Sequence, residues 1–202
     1  MSSTLTDRKP TNQIIDPQKF ALWLFLITVI MVFGGMTSAY IVDRGNARSP
    51  LLFDLPSILN WNLVIVLLSS VPMQFAYMSA KKGETKRALI GLGLTLAMGI
   101  AFLIGQTQGM QDMIDSGIFL VNNHRGTGIG NSGSFFYVFV GLHGAHIIGG
   151  LLALLITGIN TARGAIRAHR ITPVYEMVAT FWHFLGILWL YLFWFLIFTQ
   201  NN

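Results

Sequence analysis

Three histidines and one glutamate sit inside long apolar runs, and these are the side chains of this sequence best suited to chemistry. His143 and His146 are three residues apart in a stretch that reads as one helix, and His183 follows Glu176 by seven residues, close to the same helical face. Neutral imidazole is a common ligand for metals and for haem, and an acid–histidine column is one way to hand on a proton. Two histidines at that spacing plus one elsewhere still lack a fourth ligand or a carboxylate pair. Buried histidines are also satisfied by hydrogen bonds across helices, so a structural role is favoured, with metal, haem and proton transfer kept as alternatives. No catalytic residue and no metal ligand is assigned. The other two of the five histidines, His124 and His169, lie in polar stretches, too few to build haem-copper catalysis within this chain. Cysteine is absent, which excludes disulfides, thiolate metal sites, iron–sulfur clusters and covalent c-type haem.

The elements that must position these residues are transmembrane helices. Hydrophobic residues make up 53% of the 202 and charged ones only 10%, against about a quarter charged in a soluble domain. Crossing roughly 30 Å of hydrocarbon takes about twenty apolar residues, and five stretches meet that test: about 20–42, 58–80, 88–106, 134–159 and 175–198. None contains Lys or Arg, and only Pro72 interrupts one. The fold class is all-α, a polytopic bundle of five membrane helices. Residues 1–19 lack the apolar core of a secretory signal and are expected to be a retained cytoplasmic tail. Short connections make the second and third helices, and the fourth and fifth, antiparallel neighbours. Residues 107–133, polar and rich in glycine, are expected to form an extracytoplasmic loop. Their glycines follow no strand and precede no Lys-Ser/Thr, so phosphate binding is not expected.

Charge sets the orientation. Arg8, Lys9, Lys19, Lys81, Lys82, Lys86, Arg87, Arg163, Arg167 and Arg170 fall on one side, against Arg44, Arg48 and Arg125 on the other. Cytoplasmic loops collect positive charge, so the N-terminus is expected inside and the C-terminus outside. The formal charge of +5 points to an anionic membrane face rather than to nucleic acid. A bacterial plasma (inner) membrane is the expected location.

Other faces serve packing and lipid. Gly141, Ala145 and Gly149 recur every fourth residue, a small-residue stripe that lets helices approach closely. Trp182, Trp189 and Trp194 with many phenylalanines crowd the last helix, where they suit either aromatic packing or contact with acyl chains. Arg163, Arg167 and Trp182 are candidates for lipid or head-group binding, and Glu176 is expected to pair with an Arg of the neighbouring loop.

Three segments in order carry a family likeness: Lys19-Phe20 through Trp23 and Phe25 to Ala39-Tyr40; Ser134-Phe135-Phe136 through Gly141, His143, Gly144 and His146; and Glu176 followed by Phe181-Trp182-His183-Phe184 and Trp189-Leu190. Asn62, Ser69-Ser70-Val71, Phe102-Leu103 and Gln106 match between them. Over nearly the whole chain the sequence resembles the subunit III family of haem-copper terminal oxidases, in a five-helix short form. The resemblance implies an accessory subunit of a proton-translocating cytochrome c oxidase, or of a quinol oxidase, in aerobic respiration. It implies a chain that stabilises catalytic subunit I and carries no redox centre of its own, the haems and copper belonging to subunits I and II. It further implies helices split as two and three around a cleft that binds phospholipid, with subunits I and II, a small subunit IV and a respiratory supercomplex as candidate partners. The sequence departs from the family pattern where carboxylates are expected, at Val29, Gly109 and Gly186, which favours scaffolding over proton conduction. A small membrane transporter is the reading from another class, weakened by the absence of intramembrane charge pairs and of internal repeats.

Overall fold

The computed structural model describes residues 16–46, 58–115, 132–164 and 172–201, and over them every regular element is an α-helix. In chain order these are α1 (Pro17–Asn46), α2 (Ile58–Leu68), α3 (Ser70–Lys81), α4 (Thr85–Asp115), α5 (Ser132–Ala162) and α6 (Thr172–Asn201). Five stretches are long and apolar enough to cross a membrane, α2 and α3 together forming the second of them, Ile58–Lys81. Over the described residues the protein is an all-α, multi-pass membrane bundle of five spanning helices.

Two boundaries differ from those read off hydropathy. The polar stretch after Gln106 does not leave the helix: α4 continues nine residues further, to Asp115. Polarity there marks the helix leaving hydrocarbon, because 31 residues at about 1.5 Å each outrun a core of roughly 30 Å. The Thr107 hydroxyl bonds back to the Ile104 carbonyl at 2.8 Å, satisfying itself without breaking the turn. The second difference is a break at Ser69, between α2 and α3. Pro72 has no N–H to offer the Leu68 carbonyl and sits in the first turn of α3, where proline is tolerated.

Antiparallel packing of the second and third spans, and of the fourth and fifth, is as the short connections require. The turn between α3 and α4 closes with Gly83 at φ +77, a left-handed conformation in which glycine carries no Cβ penalty. Around it the Gly83 N–H donates to the Ala80 carbonyl and the Glu84 N–H to the Ser79 carbonyl.

The expected division into two helices and three is not what the chain adopts. α4 packs on α2, α3 and α5, while α6 packs on α2, α3 and α5, so four spans make one continuous bundle. α1 lies against its α5–α6 flank. Its contact seam is Leu26, Val29, Phe33, Thr37 and Tyr40, a narrow stripe at alternating spacings of three and four residues. Only 22% of the apolar window of α1 is buried against 44% for α6, which makes α1 the peripheral helix and α6 the central one.

Candidate functional site

The sequence motifs converge on the middle of α4, α5 and α6. His143 is completely buried, its ring stacked on Trp189 at 4.9 Å between centroids and 26° between planes. Phe102 of α4 stands edge-on to both rings, 5.8 Å from His143 and 5.6 Å from Trp189. His146, three residues on, faces elsewhere: it contacts Phe25 and Phe33 of α1, and its Nδ1 lies 2.7 Å from the Leu142 carbonyl. A spacing of three turns a helix by about 300°, leaving some 60° between the side chains, enough to send them to different neighbours. His183 pairs with Gln74 of α3, Nε2 to Oε1 at 3.3 Å. The three histidines thus serve three separate interfaces. Among the described residues no group of three or more His, Asp or Glu is placed to hold a metal ion.

Glu176 and His183 do not form a column. Glu176 is held by Lys19 of α1, with Nζ at 2.9 Å from both carboxylate oxygens. Among the described residues Lys19 is its partner, since α1 reaches α6 at this end, whereas Arg163 lies beyond the last turn of α5 and Arg170 lies outside the described residues. Arg163 is exposed, and Arg167 lies outside the described residues.

Trp182 is the largest correction to the sequence reading. It is 1% exposed and therefore offers no surface to lipid. Its indole passes between two glycines: a Cβ on Gly99 of α4 would come within 2.7 Å of the ring, and one on Gly150 of α5 within 3.2 Å. The Nε1–H donates to Ser69 Oγ at 2.9 Å, and that hydroxyl donates in turn to the Val66 carbonyl at 2.6 Å. One side chain of α6 therefore keys α4, α5 and the break in the second span. Of the remaining aromatics of α6, Trp189 is buried too, whereas Trp194 is 63% exposed.

The stripe of Gly141, Ala145 and Gly149 faces outward. All three are exposed, and no atom of this chain comes within 4 Å of where a Cβ on Gly141 or Gly149 would stand. The close helix approaches lie on α4 instead. A Cβ on Gly91 would meet the Pro72 carbonyl and Ala76 Cβ at 2.8 Å, and one on Gly105 would run into Asn62 Oδ1. Asn62 donates from Nδ2 to Gln106 Oε1 at 3.3 Å, a buried amide pair between α2 and α4. Spacing had not marked Gly91, Gly99, Gly105, Lys19 or Gln74; polar residues within spans, which point inward to avoid lipid, were the available signal for Gln74. Where carboxylates were expected, Val29 is buried in the α1 seam and Gly109 backs onto Ile58 of α2, whose Cγ2 would lie 3.2 Å from a Cβ. Gly186 sits over Ser70 and Leu67 of the second span at ordinary van der Waals distance.

Fold and site together define a multi-pass helical membrane protein in which several intramembrane polar side chains tie one helix to another, while most threonines bond back to their own helix. The sequence pattern of "Cytochrome c oxidase subunit III" matches residues 3–200, and the chain belongs to that family. Among its relatives, "Cytochrome bo(3) ubiquinol oxidase subunit 3" of Pseudomonas aeruginosa is 30% identical over 178 residues, covering 86% of this chain and 81% of the relative. "Probable cytochrome c oxidase subunit 3" of Nocardia farcinica is 30% identical over 181 residues, 84% of this chain and 82% of the relative. "Probable quinol oxidase subunit 3" of Staphylococcus saprophyticus is 25% identical over 180 residues, 87% and 85% of the two chains.

Proposed function

We propose that this chain is the accessory third subunit of a proton-translocating cytochrome c oxidase in a bacterial plasma membrane. In this reading it stabilises catalytic subunit I, associates with subunits I and II, and takes no part in electron transfer itself. The observation that carries the reading is the use made of the motif side chains. Glu176 is engaged by Lys19, His183 by Gln74 and Trp182 by Ser69, so the motifs fix the bundle rather than open a reaction site. With a ubiquinol-oxidase relative as similar as a cytochrome c oxidase one, a quinol oxidase is the second reading, differing only in the electron donor.

The N-terminus is inside in this reading, with Lys81, Lys82, Lys86, Arg87 and Arg163 at the cytoplasmic face. Bound phospholipid belongs to it as well. Support comes from a groove of about 380 Å³ between α1 and α6, lined by Ile30, Phe33, Gly34, Phe184, Ile187 and Tyr191, shaped for an acyl chain. Arg163 and the basic α3–α4 turn are the head-group candidates at the inner face. The outward stripe of Gly141, Ala145 and Gly149 is the proposed seat of a helix from another subunit.

The test is to tag the chain in its own membrane, extract it in mild detergent, and record co-purifying proteins with a reduced-minus-oxidised spectrum. A many-helix partner arriving with a-type or o-type haem bands supports a haem-copper oxidase, and whether the purified complex oxidises cytochrome c or quinol separates the two readings. A lone chain without haem overturns both.

A further inference from the structure

We propose that His143, Trp189 and Gln106 bound an internal water site at the junction of α4, α5 and α6, a ligand site that stands whatever complex the chain serves. Four side-chain nitrogens here are sealed from the surface without a hydrogen-bond partner among the described residues: Nδ1 and Nε2 of His143, Nε1 of Trp189 and Nε2 of Gln106. Their residues are 0%, 1% and 3% exposed. Nowhere else among the described residues does the core leave side-chain nitrogen or oxygen so placed. Elsewhere the intramembrane polar groups bond directly, as Trp182 does to Ser69 and Thr161 to Tyr175.

Geometry explains why these groups do not satisfy one another. His143 and Trp189 are stacked, with 26° between their planes. The hydrogen-bonding directions of both rings lie in their planes, so they project from the edges of the stack and cannot meet across it. Phe102 presents only ring carbons to both rings. Gln106 is one turn along α4 from Phe102, and its Oε1 is already taken by Asn62, which leaves the amide nitrogen free to donate.

The balance of donors and acceptors identifies the ligand. The indole N–H and the carboxamide NH₂ only donate, and an imidazole contributes at most one acceptor. Donors therefore outnumber acceptors, and the missing partner is a small group rich in lone pairs. Water has two lone pairs and two hydrogens, so it can accept from Trp189 or Gln106 while donating to an imidazole nitrogen. A site deep in a membrane bundle, with several polar groups at its wall, is where buried water stays ordered. A water at the edge of either ring takes up hydrogen bonds that the two stacked rings cannot make to each other.

The experiment is a density map of the full chain in its purified assembly, at a resolution that shows ordered water elsewhere in the core. The expected result is a single peak about 2.7–3.2 Å from Trp189 Nε1 or Gln106 Nε2 and from one ring nitrogen of His143. In a Trp189→Phe variant, which keeps an aromatic ring but loses the donor, that peak should vanish or move toward Gln106 while the His143 and Phe102 rings stay in place. A wild-type map with both rings placed and no peak at either edge would overturn the proposal. Elongated density, or direct bonds from these nitrogens to protein groups, would overturn it equally. The wild-type map decides the matter even where the variant does not assemble.

Discussion

Replacing Ser69 by alanine should loosen the bundle more than the loss of one small side chain suggests, because it strands the buried indole N–H of Trp182. That donor has Ser69 Oγ as its partner at 2.9 Å, and Trp182 is 1% exposed, so no solvent replaces the bond. A buried donor left unpaired costs about 1–3 kcal/mol. Trp182→Phe acts differently: it removes the donor together with part of a ring lodged between Gly99 and Gly150. Its cost is a cavity term, a fraction of the about 3–5 kcal/mol of full truncation to alanine. The two variants combined should cost less than their sum. The shortfall should be about 0.6 kcal/mol, the average that double-mutant cycles give for hydrogen bonds between membrane helices, and at most about 1.7 kcal/mol. The assay is denaturant titration of the purified full chain in mild detergent, followed by circular dichroism, for wild type, both single variants and the double. Strict additivity, within about 0.3–0.5 kcal/mol, would refute the bond and with it the view that Trp182 keys the second span.

Three further outcomes are expected. Gly105→Ala drives a Cβ into Asn62 Oδ1 and should destabilise by about 1–3 kcal/mol in the same titration, whereas Gly93→Ala, with open space at its Cβ position, should be neutral or slightly stabilising. Neutralising Lys19 or Glu176 should destabilise the bundle only weakly, since both are partly exposed. The loss should shrink with added salt, and the exchanged pair Lys19→Glu with Glu176→Lys should restore it. Ala145→Leu should leave the stability of the isolated chain unchanged, as the position is exposed, but lower the yield of the assembly on affinity purification; an unchanged yield removes the outward stripe as a docking face.

Hydropathy made the five spans legible because each is a long, mostly apolar run without Lys or Arg, and short connections made their antiparallel pairing legible. The arrangement of α1 was not, since an apolar helix in lipid shows no hydrophobic face to mark its neighbour. Side chains settle it: Tyr40 meets Phe135 and Phe195 at 5.8 and 5.5 Å, Phe33 meets His146, and the Tyr191 hydroxyl donates to Thr37 at 3.2 Å. The burial of His143 was readable from the cost of a polar group in hydrocarbon. Its stacking on Trp189 was not, because that contact depends on the relative rotation of α5 and α6.

The glycines carry the most general physical point. The regular four-residue stripe on α5 drew the expectation of close packing, yet the close approaches are at Gly91, Gly99 and Gly105 of α4, spaced by eight and six. A regular stripe serves one neighbour, whereas α4 lies among several and spends its glycines on different sides. Gly91 admits the turn of α3 at Pro72 and Ala76, Gly99 admits the ring of Trp182 from α6, and Gly105 admits Asn62 from α2. Each rotation between them follows from where the next helix lies, so no single period describes the set. The irregular glycine spacing of α4 thus follows from its place among α2, α3, α5 and α6. Regular spacing on an exposed face, as at Gly141, Ala145 and Gly149, is what the proposed docking of one straight helix from another subunit requires.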